Sequence, residues 1–203
     1  MPVLILSERV AEQVLDDYEA ATGRRFDEVW DGVTYIMPEP DNEHFDLSAF
    51  FVWVFRSVFD PASGHRAGGP ANVSDQPDDW RRNFRVPDIS VFLAGNPAQD
   101  RGTHWFGGPD LAIEIISPGD RSRDKFDFYA RIGTREVLIL DRDPWQMELY
   151  QLDQGELQLR GTVTTAGGVL TSTVTPFKFQ LVDAQPRPQV KITHTGTGQE
   201  WVG

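Results

Sequence analysis

A chain of 203 residues, 39% hydrophobic and 11% aromatic, has the material for one domain with a sizeable core. Its 31 acids against 19 bases, a formal charge of -12, exclude a broadly basic nucleic-acid surface and leave room only for a local basic patch or a metal ion. The absence of cysteine excludes disulfides, thiolate nucleophiles and thiolate-held zinc.

The opening MPVLILSERV lacks the basic start of a signal peptide, and no apolar run approaches bilayer length. A cytoplasmic protein without a membrane or an organic cofactor is therefore expected. Residues 7–21 read as a helix capped by Ser7, with Val10, Val14 and Tyr18 four apart. FDEVWDGVTYIM predicts a hairpin turning at Asp31-Gly32. HFDLSAFFVWVFRSVF predicts a buried helix striped by Leu47, Phe51, Val54, Phe55 and Val58, with Asp41 or Asn42 as its cap. Residues 60–84, rich in Gly, Pro and Asp, read as irregular. RVPDISVFL and DLAIEII read as strands, SPGD as a turn into a helix over about 121–132, and EVLILD as a central strand covered on both faces. QMELYQL and ELQLRG form a second hairpin, with further strands in GVLTSTVTPFKFQL. The expected fold is one α/β domain over residues 1–182, a mixed central sheet flanked by helices with extra β-hairpins. Residues 183–203 are expected as a peripheral tail.

Strand periodicity singles out two acids. Asp88 shares a face with Val86 and Ser90, and Glu114 shares one with Ala112 and Ile116, so each carboxylate stands among apolar neighbours. If the two strands pair, the acids converge, repel and desolvate one another, and a divalent cation offsets both costs. Magnesium, or manganese in its place, takes such oxygen ligands and keeps the waters a phosphodiester hydrolase needs. Asp110 stands four strand steps from Glu114, about 13 Å, too far to share one ion, and is expected to orient the strand entrance. Lys125, Tyr129 and Ile132 form a helical stripe facing the sheet, so the Lys125 ammonium can reach back toward the acids. Arg81, Arg82 and Arg85 make the densest basic cluster and are candidates for holding a phosphate backbone. Trp80 and Phe84 beside them either stack on bases or pack the loop. His65 and His104 lie in loops without partners at metal-ligand spacing.

FDEVWDGVTYIMPEPDNEH, VPDISVF, PDLAIEIISPGDRSRDKFDFYARIGTREVLILD and MELYQL, spanning residues 26–150, together resemble the putative restriction endonuclease family, a domain of unknown function in the PD-(D/E)XK nuclease superfamily. The resemblance implies a restriction-endonuclease-like core and a magnesium-dependent endonuclease acting on DNA. It places the family's strand aspartate at Asp88, its strand glutamate at Glu114, its helix-borne lysine at Lys125, an auxiliary glutamate at Glu28 and a histidine at His44. It makes Asp88, Glu114 and the carbonyl of Ile115 the metal ligands. The parent fold's lysine position, two after the glutamate, is Ile116 here, so Lys125 must act from the helix. Cutting both strands of a duplex implies a homodimer, for which Trp105 and Phe106 are candidate contacts. Two other readings remain open, a catalytically silent scaffold or regulator and a metal-dependent hydrolase of small phosphate esters.

Overall fold

The computed structural model describes residues 3–5, 8–22, 27–37, 39–116 and 120–203. The Ser7 cap and residues 117–119 of the SPGD turn lie outside them. Strand β1 (Val3–Ile5) and helix α1 (Glu8–Thr22) precede the hairpin of β2 (Asp27–Trp30) and β3 (Val33–Ile36). Asp31 and Gly32 take φ of 48° and 83°, the two left-handed residues that a tight hairpin turn requires. Helix α2 (Asn42–Val58) starts where the Asp41 carboxylate accepts the His44 N–H at 2.8 Å, and it buries Leu47, Phe51, Val54 and Phe55.

Residues 60–110 carry two 3-10 turns (Pro61–Ser63 and Trp80–Arg82) and short strands: β4 (Arg66–Gly68), β5 (Val73–Ser74), β6 (Phe84–Arg85), β7 (Ile89–Phe92), β8 (Gln99–Asp100) and β9 (Trp105–Phe106). The single strand expected through RVPDISVFL is therefore two strands, β6 and β7, in different sheets. Pro87 has no N–H to give a ladder, and the chain crosses between sheets there. Strand β10 (Leu111–Ile116) leads through a 3-10 turn (Ser122–Lys125) and the short helix α3 (Phe126–Arg131) to β11 (Glu136–Arg142). Strands β10 and β11 run parallel, which requires such a crossover. The hairpin of β12 (Trp145–Asp153) and β13 (Glu156–Thr164) follows, then β14 (Leu170–Thr171), β15 (Phe177–Val182), β16 (Gln189–His194) and β17 (Glu200–Val202).

The central sheet has the order β13-β12-β11-β10-β7-β4 and is mixed, because β10 and β11 are parallel and its other pairs antiparallel. One face packs on α2 and on the sheet β14-β15-β16-β17, with Phe51, Phe55, Phe177 and Phe179 in contact. The other face carries Ala112, Val137 and Ile139 against Phe128 and Tyr129 of α3. Residues 183–203 are not a peripheral tail. They supply β16 and β17, and their Val190, Ile192 and Trp201 are buried in the same core as α2. Trp105, half-buried on β9, stacks on Phe92 of β7 at 3.8 Å between centroids, a contact that joins two sheets. No helix among the described residues is long and apolar enough to cross a membrane.

Candidate active site

The site grows from the ladder between β7 and β10. Ser90 opposes Ala112 and Ile89 opposes Ile113, so the next antiparallel step sets Asp88 opposite Glu114. Asp88 has left the strand, and its side chain replaces the missing backbone bond, with Oδ2 accepting the Ile115 N–H at 2.8 Å. Its Oδ1 lies 2.9 Å from His44 Nε2, at the first turn of α2. Asp88 remains the more open of the two acids, with its side chain 20% exposed.

Glu114 is enclosed. Lys125 Nζ lies 3.1 Å from both of its carboxylate oxygens, Ser122 Oγ donates to Oε2 at 3.2 Å, and the Tyr129 hydroxyl donates to Oε1. Lys125, at the end of the 3-10 turn, therefore reaches the acid that Ile116 cannot serve from the strand. The same ammonium lies 2.9 Å from Glu28 Oε1. Glu28, buried on β2, accepts from Trp30 Nε1 at 2.6 Å and from the Val86 N–H at 2.9 Å. The crossover after β10 thus ties two strands, β10 and β2, to one amine. Asp110 stands apart, with Oδ2 accepting from Leu93 N and Asn96 Nδ2 at 2.8 Å each and Oδ1 facing Arg135, where it holds the loop after β7.

Burial pushes the Glu114 carboxyl up to about 8, opposed by the charge of Lys125 and reinforced by Asp88, Glu28 and Asp120. Burial also works against the Lys125 charge, but Glu114, Glu28 and Asp120 outweigh it and hold the amine above its usual range. Burial, together with the neighbouring Glu114 and Glu28 charges, keeps the Tyr129 phenol protonated, as a donor should be.

Glu28, His44, Asp88, Glu114 and Lys125 line a cleft of about 650 Å³. Among the described residues, the carboxylates of Glu12, Asp27, Glu28, Asp88, Asp100, Glu114 and Asp120 and the cations of Arg81 and Lys125 border it. Arg81 is exposed at the cleft, and Arg82 is exposed beside Asp79 at 3.7 Å. Arg85 is turned inward, 3% exposed, with Nη1 donating to Val29 O at 2.8 Å and its guanidinium over the rings of Phe128 and Trp30. Of the three arginines expected to hold a backbone, this one is engaged in joining β6 to β2.

Among the described residues, no three acidic or histidine side chains converge as a ready-made metal site. The donor set nonetheless suits a hard cation, which binds through one or two carboxylates and keeps its waters.

Sequence reasoning missed the donors that fix these acids. Tyr129 was visible as Lys125's neighbour one helical turn on, and Trp30 as Glu28's neighbour two residues along one strand face. Ser122 carries no comparable signal, because its bond to Glu114 exists only through the crossover.

Residues 12–184 match the model of the Uma2 family, described as "Putative restriction endonuclease". The chain belongs to the Uma2 family. That family is part of the PD-(D/E)XK nuclease superfamily. Among solved structures, the chain is similar to a crystal structure described as a putative nuclease from Anabaena variabilis. The identity is 23% and the TM-score 0.58, over 78% of this chain and 88% of that one, which shows a shared fold. No curated protein matches the sequence. The Uma2 chain is thus a nuclease-superfamily member with a mixed α/β, restriction-endonuclease-like fold.

Proposed function

We propose that the protein is a metal-dependent endodeoxyribonuclease that hydrolyses phosphodiester bonds at the Asp88–Glu114–Lys125 site. The observation that carries this reading is the Lys125 ammonium within 3.1 Å of Glu114 and 2.9 Å of Glu28, beside an Asp88 tied to the same strand. Asp88, Glu114 and the Ile115 carbonyl would hold Mg²⁺ or Mn²⁺, which when bound lowers the pKa of a coordinated water. The chain's own residues do the rest. His44 and the Ile115 N–H hold the Asp88 carboxylate in one orientation. Tyr129 and Ser122 hold Glu114, and Glu28 holds the Lys125 amine at the sheet end. From there the amine orients the attacking water and offsets charge gathering on the scissile phosphate. Arg81, at the cleft rim, holds a flanking phosphate.

A second reading, hydrolysis of small phosphate esters, is favoured by the cleft volume, which lies within the range of small-molecule sites, about 300–1,000 Å³. One assay separates them: Mg²⁺- or Mn²⁺-dependent turnover of plasmid DNA, oligonucleotides and bis(p-nitrophenyl) phosphate, with Glu114→Ala and Lys125→Ala in parallel. The nuclease reading expects DNA cleavage that falls about a hundredfold or more in both variants. Cleavage at the parental rate in both variants would refute it. Turnover of the ester without DNA cleavage would select the second reading.

A further inference from the structure

We propose that the cleft wall built by Trp80, Arg81 and His104 stacks an unpaired base, so that the strand enters single-stranded or with a nucleotide extruded. This rests on the phosphodiesterase reading above and names the form of its substrate. The Trp80 indole lies on the His104 imidazole, with centroids 5.2 Å apart and planes 15° from parallel. Phe84 meets the indole edge-on at 5.0 Å, and the Arg81 guanidinium carbon is 5.5 Å from its centroid. All four residues border the cleft that holds Glu114 and Lys125.

His104 is 6% exposed, and its Nε2 has no hydrogen-bond partner of good geometry. Burial holds its ring below the ordinary histidine range, so it backs the indole as a neutral, flat surface. Trp80 itself is only half-buried and carries a cation over its ring, the combination that single-strand binders use to hold bases without reading them.

Electrostatics and space point the same way. Among the described residues lining the cleft, Arg81 is exposed while Lys125 is buried against Glu114 and Glu28, so phosphate contacts there are few and base stacking supplies further affinity. The cleft, at about 650 Å³, has the volume of a small-ligand site, room for one or two nucleotides and not for a duplex. Glu114 is 2% exposed, so the site lies deep in the cleft, where a lone strand follows more readily than a duplex.

The test is fluorescence anisotropy of labelled oligonucleotides with calcium replacing magnesium. The probes are a single strand, the same strand fully paired, a duplex with one bulged nucleotide, and an abasic strand of equal charge. The single strand should bind about tenfold or more tighter than the paired duplex and the abasic strand. The bulged duplex should match the single strand if extrusion suffices, and the paired duplex if the enzyme needs a free strand. Trp80→Ala should lose about tenfold on base-bearing probes and nothing on the abasic one, while Trp80→Phe recovers most of the loss. Equal binding of abasic and base-bearing strands, or of paired and single strands, overturns the proposal without any variant. The same probes with magnesium separate the two claims. Discrimination without any cutting leaves the stacking wall and removes the nuclease, whereas cutting without discrimination does the reverse.

Discussion

Glu114 holds the chemistry of the site in one residue: a buried carboxyl with one ammonium beside it and three other acids within its field. Its ordinary value of 4.5 is raised to about 8, so the folded state keeps its proton more tightly than the unfolded chain does. The stability this contributes is fully present below pH 4.5 and is lost as pH rises through 8. Lys125, held above its usual range, stays charged across that window and does not blur it. Urea denaturation of the metal-free protein at pH 5.5 and 8.5 should therefore give a lower unfolding free energy at the higher pH, and Glu114→Gln should flatten the difference. An unchanged slope in that variant would place the titration elsewhere.

At the scale of elements, the decisive device is the crossover between β10 and β11. Parallel strands cannot be joined by a hairpin, so the chain must climb over the sheet, and Lys125, Ser122 and Tyr129 all ride on that climb. Helix α2 supplies the opposite wall, and its start is set by Asp41, which caps the helix and pairs with Arg142 at 2.8 Å. The same turn aims His44 at Asp88. Asp41→Ala should cost about 1 kcal/mol as a lost cap. For a chain of this size that lowers the melting temperature by about 2–4 °C, read by circular dichroism. Metal-dependent cleavage should fall with it, because the first turn that presents His44 frays. A variant melting at the parental temperature would show that Arg142 and Glu43 hold the turn without the cap.

Among the described residues, α2 and one face of the central sheet share a core that β14 to β17 close on the far side. Removing residues 183–203 strips β16 and β17 and uncovers Phe177, Phe179 and Leu181, a continuous apolar face. The truncated chain should be insoluble or should lose its cooperative thermal transition in circular dichroism. A soluble product with the parental melting temperature would show these strands to be dispensable.

Local patterns were legible from the sequence wherever one physical rule governs a short segment. Asp31-Gly32 declared a hairpin because only certain residues accept two left-handed steps. The apolar stripe declared α2, and period-two alternation put Glu114 and Ala112 on one face. The placing of Asp88 beside the strand that carries Glu114, and the reach of Lys125 to that acid, could be expected, since a buried acid demands a partner. What only the tertiary structure decided were relations between distant segments. Arg85, read as a free cation, is buried because β6 meets β2 there. The polar-looking terminal segment is core because alternate residues of β16 and Trp201 face α2, a burial visible only once three strands lie side by side. Periodicity encodes which side of an element is apolar, but what lies against that side is settled by chain topology.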